Sequence, residues 1–236
     1  MSGKEAFEAL AQALHKHIFS QPREKFADKP WAITEAIDEF ATINRMMTYR
    51  EGKMRLSKQL LERMQAAPKT LLEFGTYVGS SAIGWGAMLR DLHGEDSHVY
   101  TFELSATIAQ IARDFIQLAG LEEIVHVVEG SSSDSLRRLY TEGKLTPGGV
   151  DVVFFDHWEE FYVPDLKICE ELRLLRKGSL AIADNTDYPG APEYIKYVQS
   201  GGQQKGAVQY ETESFEAEVP KPFPSIVMVS TVVDIE

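Results

Sequence analysis

From residue 69 onward the chain alternates between short apolar runs and longer segments with helical spacing. Five runs rich in Val, Ile, Leu and Phe read as strands: Thr70–Phe74, His98–Glu103, Ile124–Glu129, Asp151–Phe155 and Ser179–Ala183. They are mostly apolar on both faces, the pattern of central parallel strands covered by helices on each side. After the second run, Ile108, Ile111, Ala112, Phe115, Ile116 and Ala119 recur at helical spacing, and Gly120 stands where a C-terminal cap belongs. The alternation predicts a doubly wound, Rossmann-like α/β sheet. Two last strands, Ala207–Tyr210 and Ser225–Val233, have only a Pro-rich loop between them. A connection without a helix predicts an antiparallel pair at the sheet edge.

Residues 1–67 read as helical and mixed in charge. Gln21-Pro22 and Lys29-Pro30 divide this region, a helix starts near Trp31, and Glu51-Gly52-Lys53 reads as a polar break before a helix over Met54–Gln65. Phe7, Leu10, Ala11, Leu14 and Ile18 share one helical face, as expected for a helix packed on the domain. The whole reads as a single domain, 1–236, with a helical cap (1–67) on an α/β core (68–236).

Charge and cysteine content narrow the role. With 236 residues and a formal net charge of −12, the surface repels nucleic acid and anionic membranes. The lone Cys169 excludes an internal disulfide and fits a reducing, cytoplasmic setting. No run reaches the length of a membrane span, and the first residues lack the apolar stretch of a signal peptide.

In open α/β sheets ligands sit beyond the carboxyl ends of the strands, so the residues following each run are the candidates. The first run carries Glu73 and leads into Gly75-x-x-x-Gly79 with two serines, a tight turn into a helix start. The second ends in Glu103, 24 residues past Gly79, where a carboxylate suits ribose hydroxyls. The third leads to Gly130-Ser131-Ser132-Ser133-Asp134, small polar groups suited to a base edge. The fourth ends in Asp156-His157-Trp158, with an aromatic face for a purine, and the fifth in Asp184-Asn185. Asp156, Asp184 and Asn185 are hard oxygen donors of the kind Mg²⁺ prefers, and no Cys/His cluster suggests zinc. Each element also has a plainer role: a tight turn for the glycines, a helix cap for Glu103 or the Asp residues, core for Trp158, a solvated helix start for Glu159 and Glu160. An NAD-type dehydrogenase shares the ribose acid but needs G-x-G-x-x-G, which this turn does not fit.

These segments together are similar to a known family. LLEFGTYVGSSA, GSSSD, VVFFDHWEEFYVPDL, LLRKGSLAIADN and PGAPEY resemble the Mg²⁺- and S-adenosylmethionine-dependent catechol O-methyltransferases over about Trp31 to Tyr210. The resemblance implies a seven-stranded sheet with an antiparallel last strand. It implies that Glu73, Gly75, Tyr77 and Ser81 hold the methionine end of S-adenosylmethionine, with Met47 near the sulfonium. Glu103, with Leu104 beside it, would take the ribose; Ser132, Ser133, His157 and Trp158 would line the adenine. Asp156 would serve both cofactor and metal, binding Mg²⁺ with Asp184 and Asn185, and the ion would take both oxygens of a catechol-like small molecule. Pro189 would wall the substrate pocket. A monomer or weak dimer is expected.

Two positions depart from the family. A lysine follows D-H-W there and acts as base; here the residue is Glu159. A carboxylate accepts a proton but disfavours a second anion, the phenolate, beside it. Glu159 is therefore the candidate base; otherwise deprotonation relies on the metal alone, the substrate is not a catechol, or the protein binds the cofactor with altered or lost methyl transfer. Near the C-terminus a glutamate that bonds the second catechol hydroxyl falls at Glu216, with Glu213 as the alternative. The loop 219–224, rich in proline, also departs from the family.

Overall fold

A computed structural model describes residues 3–200, 208–221 and 223–235. Seven strands form one sheet in the order β3-β2-β1-β4-β5-β7-β6. They are β1 (Thr70–Phe74), β2 (His98–Glu103), β3 (Val125–Glu129), β4 (Val150–Phe155), β5 (Leu175–Ala183), β6 (Val208–Glu216) and β7 (Ile226–Ile235). The first five pair in parallel, and β7 runs antiparallel to both of its neighbours. The expected strands stand, with bounds shifted by a few residues at some ends. The expected start at Ala207 lies outside the described residues, as does Pro222 of the proline-rich loop. β6 continues to Glu216, well past Tyr210: its exposed Glu211, Glu213 and Glu216 place charge on the edge strand, which blunts edge-to-edge pairing.

Eight helices connect and cover the described sheet: α1 (Gly3–Phe19), α2 (Pro30–Asn44), α3 (Glu51–Glu62), α4 (Ser80–His93), α5 (Ala106–Leu118), α6 (Ser132–Thr141), α7 (Tyr162–Glu171) and α8 (Pro192–Gln199). Pro30 sits in the first turn of α2, where its missing N–H leaves no bond unmade. Ser105 and Ser131 cap α5 and α6 by accepting the Ile108 and Asp134 amides. Gly120, at φ +67°, closes the end of α5 as expected.

Alternation along each strand sends neighbours to opposite layers. In β4, Phe154 joins one apolar cluster with Ile33, Trp85 and Phe115, while Phe155 joins the other with Phe74, Tyr162 and Tyr194. Each such side chain removed from water contributes roughly 1.5–3 kcal/mol. Ala11, Leu14 and Ile18 of α1 are fully buried in the first cluster, so the N-terminal helices share their core with the sheet.

Among the helices, α3 differs from expectation at both ends, starting at Glu51 and closing at Glu62. Glu51-Gly52-Lys53 is the first turn of α3, and no break precedes Met54. Tertiary contacts explain this. A Cβ on Gly52 would stand 1.9 Å from the Glu218 carbonyl oxygen, so the helix start is pressed against the C-terminal segment. Lys53, polar in sequence, is buried.

Candidate active site

The strand order reverses between β1 and β4, which opens a crevice above their carboxyl ends. The Asp156 amide donates to the Phe74 carbonyl (2.9 Å), bringing the ends of the two strands together. Gly75, at φ +102°, lies so close beneath that a Cβ would meet the Asp156 carbonyl at 2.5 Å. Only glycine allows this approach. The next turn passes Tyr77 (φ 45°) and Gly79 (φ 80°) into α4, whose first turn has no side-chain cap. The amides at Ser80 and Ser81 thus end a helix N-terminus open to an anionic group.

Glu73 is fully buried on β1. Its Oε2 accepts from the Thr101 hydroxyl (2.5 Å), which in turn pairs with Thr76 Oγ1 (2.6 Å), while Oε1 has no hydrogen-bond partner among the described residues. Burial pushes its carboxyl up to about 7, opposed in part by the hydroxyls of Ser81 and Thr101. At the end of β2, Glu103 accepts the Tyr77 amide on Oε2 and the Ser105 amide on Oε1, both at 2.9 Å. Its carboxylate is thereby fixed across the turn, and the helix-capping role falls to Ser105. Phe7 of α1 packs edge-on against Tyr77, and Glu8 accepts from the Ser105 hydroxyl, so α1 borders this corner.

Ser132, Ser133 and His157 converge on a residue to which the sequence reading gave no role, Asp165 of α7. Ser132 Oγ donates to Oδ2 (2.5 Å), Ser133 Oγ to Oδ1 (3.2 Å), and His157 Nε2 lies 2.9 Å from Oδ2. The carboxylate is fully buried, so three donors replace its water. With Nε2–H directed to Asp165, the buried Nδ1 of His157 is left as an acceptor without a partner among the described residues. Asp165 sits inside the P-D-L that closes the VVFFDHWEEFYVPDL motif; a buried acid eight residues past a histidine gives no local signal of the contact.

On the other side of the crevice, Asp156 and Asp184 end the adjacent strands β4 and β5. Burial raises both carboxyls, and each Asp156 neighbour that is acidic (Asp184, Glu73, Glu159) raises it further while Lys53 opposes. Asp156 makes no side-chain hydrogen bond among the described residues. Lys53 Nζ, from α3, lies 2.6 and 2.7 Å from the two oxygens of Asp184. This lysine was missed because its partner is 131 residues away. Asn185 takes the left-handed conformation (φ 56°), and its amide Nδ2 donates to the Tyr188 carbonyl (3.3 Å), leaving Oδ1 open. Tyr49, stacked near Trp85 and bonded to Ser57, and Tyr162, which donates to the Asp184 carbonyl, close the floor. Both phenols are held well above their ordinary range by burial and then by the two aspartates.

Glu159 opens a short turn, Glu159–Phe161, and its charge reaches Asp156 and Tyr162. Trp158 is 65% exposed, so it is not core. Met47, Leu104 and Tyr188 are similarly exposed. Leu104, Trp158 and Tyr188 each follow a strand's carboxyl end, so these exposed apolar side chains stand at the rim of the crevice. Pro189 is exposed in the turn Thr186–Gly190. Glu216 ends β6 beyond the level of Ala183, whereas Glu213 pairs with Val229, level with Ile182 inside β5. The sheet therefore carries Glu216, and not Glu213, to the carboxyl edge. The described residues contain no group of three or more His, Cys, Asp and Glu placed to hold a metal ion.

A mostly parallel sheet in this order, with β7 reversed and acids at successive strand ends, is the class I methyltransferase fold. A family model described as O-methyltransferase matches residues 32–201, and the chain belongs to that family. It is 36% identical to bovine catechol O-methyltransferase (Bos taurus) over 174 residues, 73% of this chain and 61% of the relative. It is 31% identical to the mouse protein of that name (Mus musculus), over 80% of this chain and 67% of the relative. The alignments thus span about three-fifths of the length of the first relatives. Among solved structures, the O-methyltransferase from Bacillus cereus in complex with SAH superposes with a TM-score of 0.62 at 22% identity, covering 84% of this chain and 90% of that one. No helix among the described residues is long and apolar enough to cross a membrane.

Proposed function

We propose that the protein is an S-adenosylmethionine- and Mg²⁺-dependent O-methyltransferase acting on a hydroxyl of a catechol-like small molecule. The observation that carries this reading is the pairing of two halves across one crevice. Glu73, the Gly75 turn and Glu103 lie on one side; Asp156, Asp184 and Asn185 lie on the other. A cytoplasmic monomer or weak dimer completes it. The alternative, a cofactor-binding protein without methyl transfer, is less favoured, because the family match runs through both halves of the site.

The residues fit S-adenosylmethionine. The uncapped start of α4 suits a carboxylate, and the unpaired Glu73 Oε1 suits an ammonium. Glu103, fixed by two amides, keeps lone pairs for ribose hydroxyls, and His157 Nδ1 is an open acceptor beside Ser132 and Ser133 for the base. Bound there, the cofactor supplies an electrophilic sulfonium methyl. Met47, Tyr77, Ser81, Leu104 and Trp158 complete its walls.

The donor chemistry also fits Mg²⁺: Asp156 with no side-chain hydrogen bond among the described residues, the Asn185 Oδ1, and Asp184, although Lys53 already holds Asp184. Such an ion lowers the pKa of a bound phenol. Glu159 would accept the phenol proton. Pro189 and Glu216 would orient the ring and its second hydroxyl, and methyl transfer from a bound cofactor would depend on that orientation.

The test is incubation with catechol and S-adenosylmethionine, with and without Mg²⁺, following S-adenosylhomocysteine. Metal-stimulated turnover is expected. Cofactor binding with no turnover on any vicinal diol, whatever the metal, would favour the binding-protein alternative.

A further inference from the structure

We propose that Lys53 is a built-in cation of this site, and that a divalent ion gains Asp184 only in competition with it. The inference rests on the reading of Asp156, Asp184 and Asn185 as metal-binding residues and deepens it.

Three observations carry it. The ammonium is nearly equidistant from both Asp184 oxygens, at 2.6 and 2.7 Å. At these distances it engages both oxygens at once. An incoming ion must share these oxygens with the lysine or displace it.

The position is also built. Both side chains of the pair are 4% exposed, and Nζ lies 5.7 Å from the centre of the Tyr49 ring. Tyr49 is itself fixed against Phe154 (4.7 Å between ring centres) and bonded to Ser57. The helix that carries Lys53 is packed tightly at its first turn, where Gly52 abuts the Glu218 carbonyl.

Charge supplies the third. Asp156, Asp184 and Glu159 bring three carboxylates together, and Lys53 is the cation that acts on both aspartates. Leaving Asp184 buried and unpaired is costly, so the pair is the resting state of the metal-free site. The resulting metal affinity is lower than the three oxygen donors alone would give, and the aspartates stay in place when no metal is bound.

The test uses Mn²⁺ as probe, with binding read by electron paramagnetic resonance and calorimetry on the full chain. Lys53→Met and Lys53→Gln are expected to bind Mn²⁺ at least 10-fold more tightly than the unaltered protein, and Asp184→Asn to lose binding. Folding is checked by circular dichroism. In parallel, the Lys53 Nζ resonance of ¹⁵N-lysine-labelled unaltered protein is expected to shift on Mg²⁺ titration, which needs no variant to fold. Equal or weaker Mn²⁺ binding by both folded variants, or an unmoved Nζ resonance at saturating Mg²⁺, overturns the competition and leaves the metal reading standing. No Mn²⁺ binding by any of the proteins overturns the metal reading itself, and the competition with it.

Discussion

His157 Nε2 and Asp165 Oδ2 lie 2.9 Å apart, joining the end of β4 to the first turn of α7 and, through Ser132 and Ser133, to the start of α6. One buried carboxylate thus organises three of the four residues expected to line the base of the cofactor, Trp158 standing apart. Replacing it by alanine strands three donors. Asp165→Ala is expected to lower stability by about 3 kcal/mol and to weaken S-adenosylmethionine binding at least tenfold, with Asp165→Asn milder in both. Denaturant unfolding and calorimetry measure the two effects; a variant with undiminished affinity would separate Asp165 from cofactor binding.

Glu73 gives a pH dependence with a definite sign. Burial raises its folded pKa from 4.5 to about 7, so between these values the folded state holds a proton that the unfolded state has released. Its favourable contribution is complete below about pH 4.5, declines as pH rises, and is gone above about pH 7. The span is on the order of 3 kcal/mol. Glu73→Gln, neutral at every pH, is expected to flatten this part of the stability profile and to be more stable than the unaltered protein at pH 8. Melting temperatures of the cofactor-free proteins from pH 4.5 to 8 check it.

Gly52→Ala tests the seat of α3. The added Cβ would stand 1.9 Å from a backbone oxygen, which has no flexible side chain to yield. A loss of roughly 1–3 kcal/mol is expected from overpacking, read as a lower denaturant midpoint with unchanged slope. Stability equal to that of the unaltered protein would mean that the 217–221 segment moves aside without cost.

Glu159→Gln removes the proposed proton acceptor and keeps its shape. Turnover is expected to fall about 100-fold or more with cofactor affinity unchanged. Unchanged turnover would leave deprotonation to the rest of the site. Glu159→Lys separates the remaining readings: a gain in catechol methylation marks Glu159 as divergence, and a loss supports it as the base.

The sequence by itself determined the architecture and half of the site. Strand and helix periods are local, so the parallel sheet, the Gly75 turn and the acids at strand ends could be read in order, and family resemblance attached roles to them. Residues whose importance comes from a distant partner were not legible. Lys53 looked like part of a polar break because nothing near it in sequence shows that Asp184 waits 131 residues away. Asp165 carried no local sign of a role, because its three partners come from α6 and the end of β4. Glu216 was already the preferred position in sequence, and the register of β6 on β7 sets it, rather than Glu213, at the carboxyl edge. Burial and pairing of charge depend on which strand ends meet, and only the packed sheet decides that.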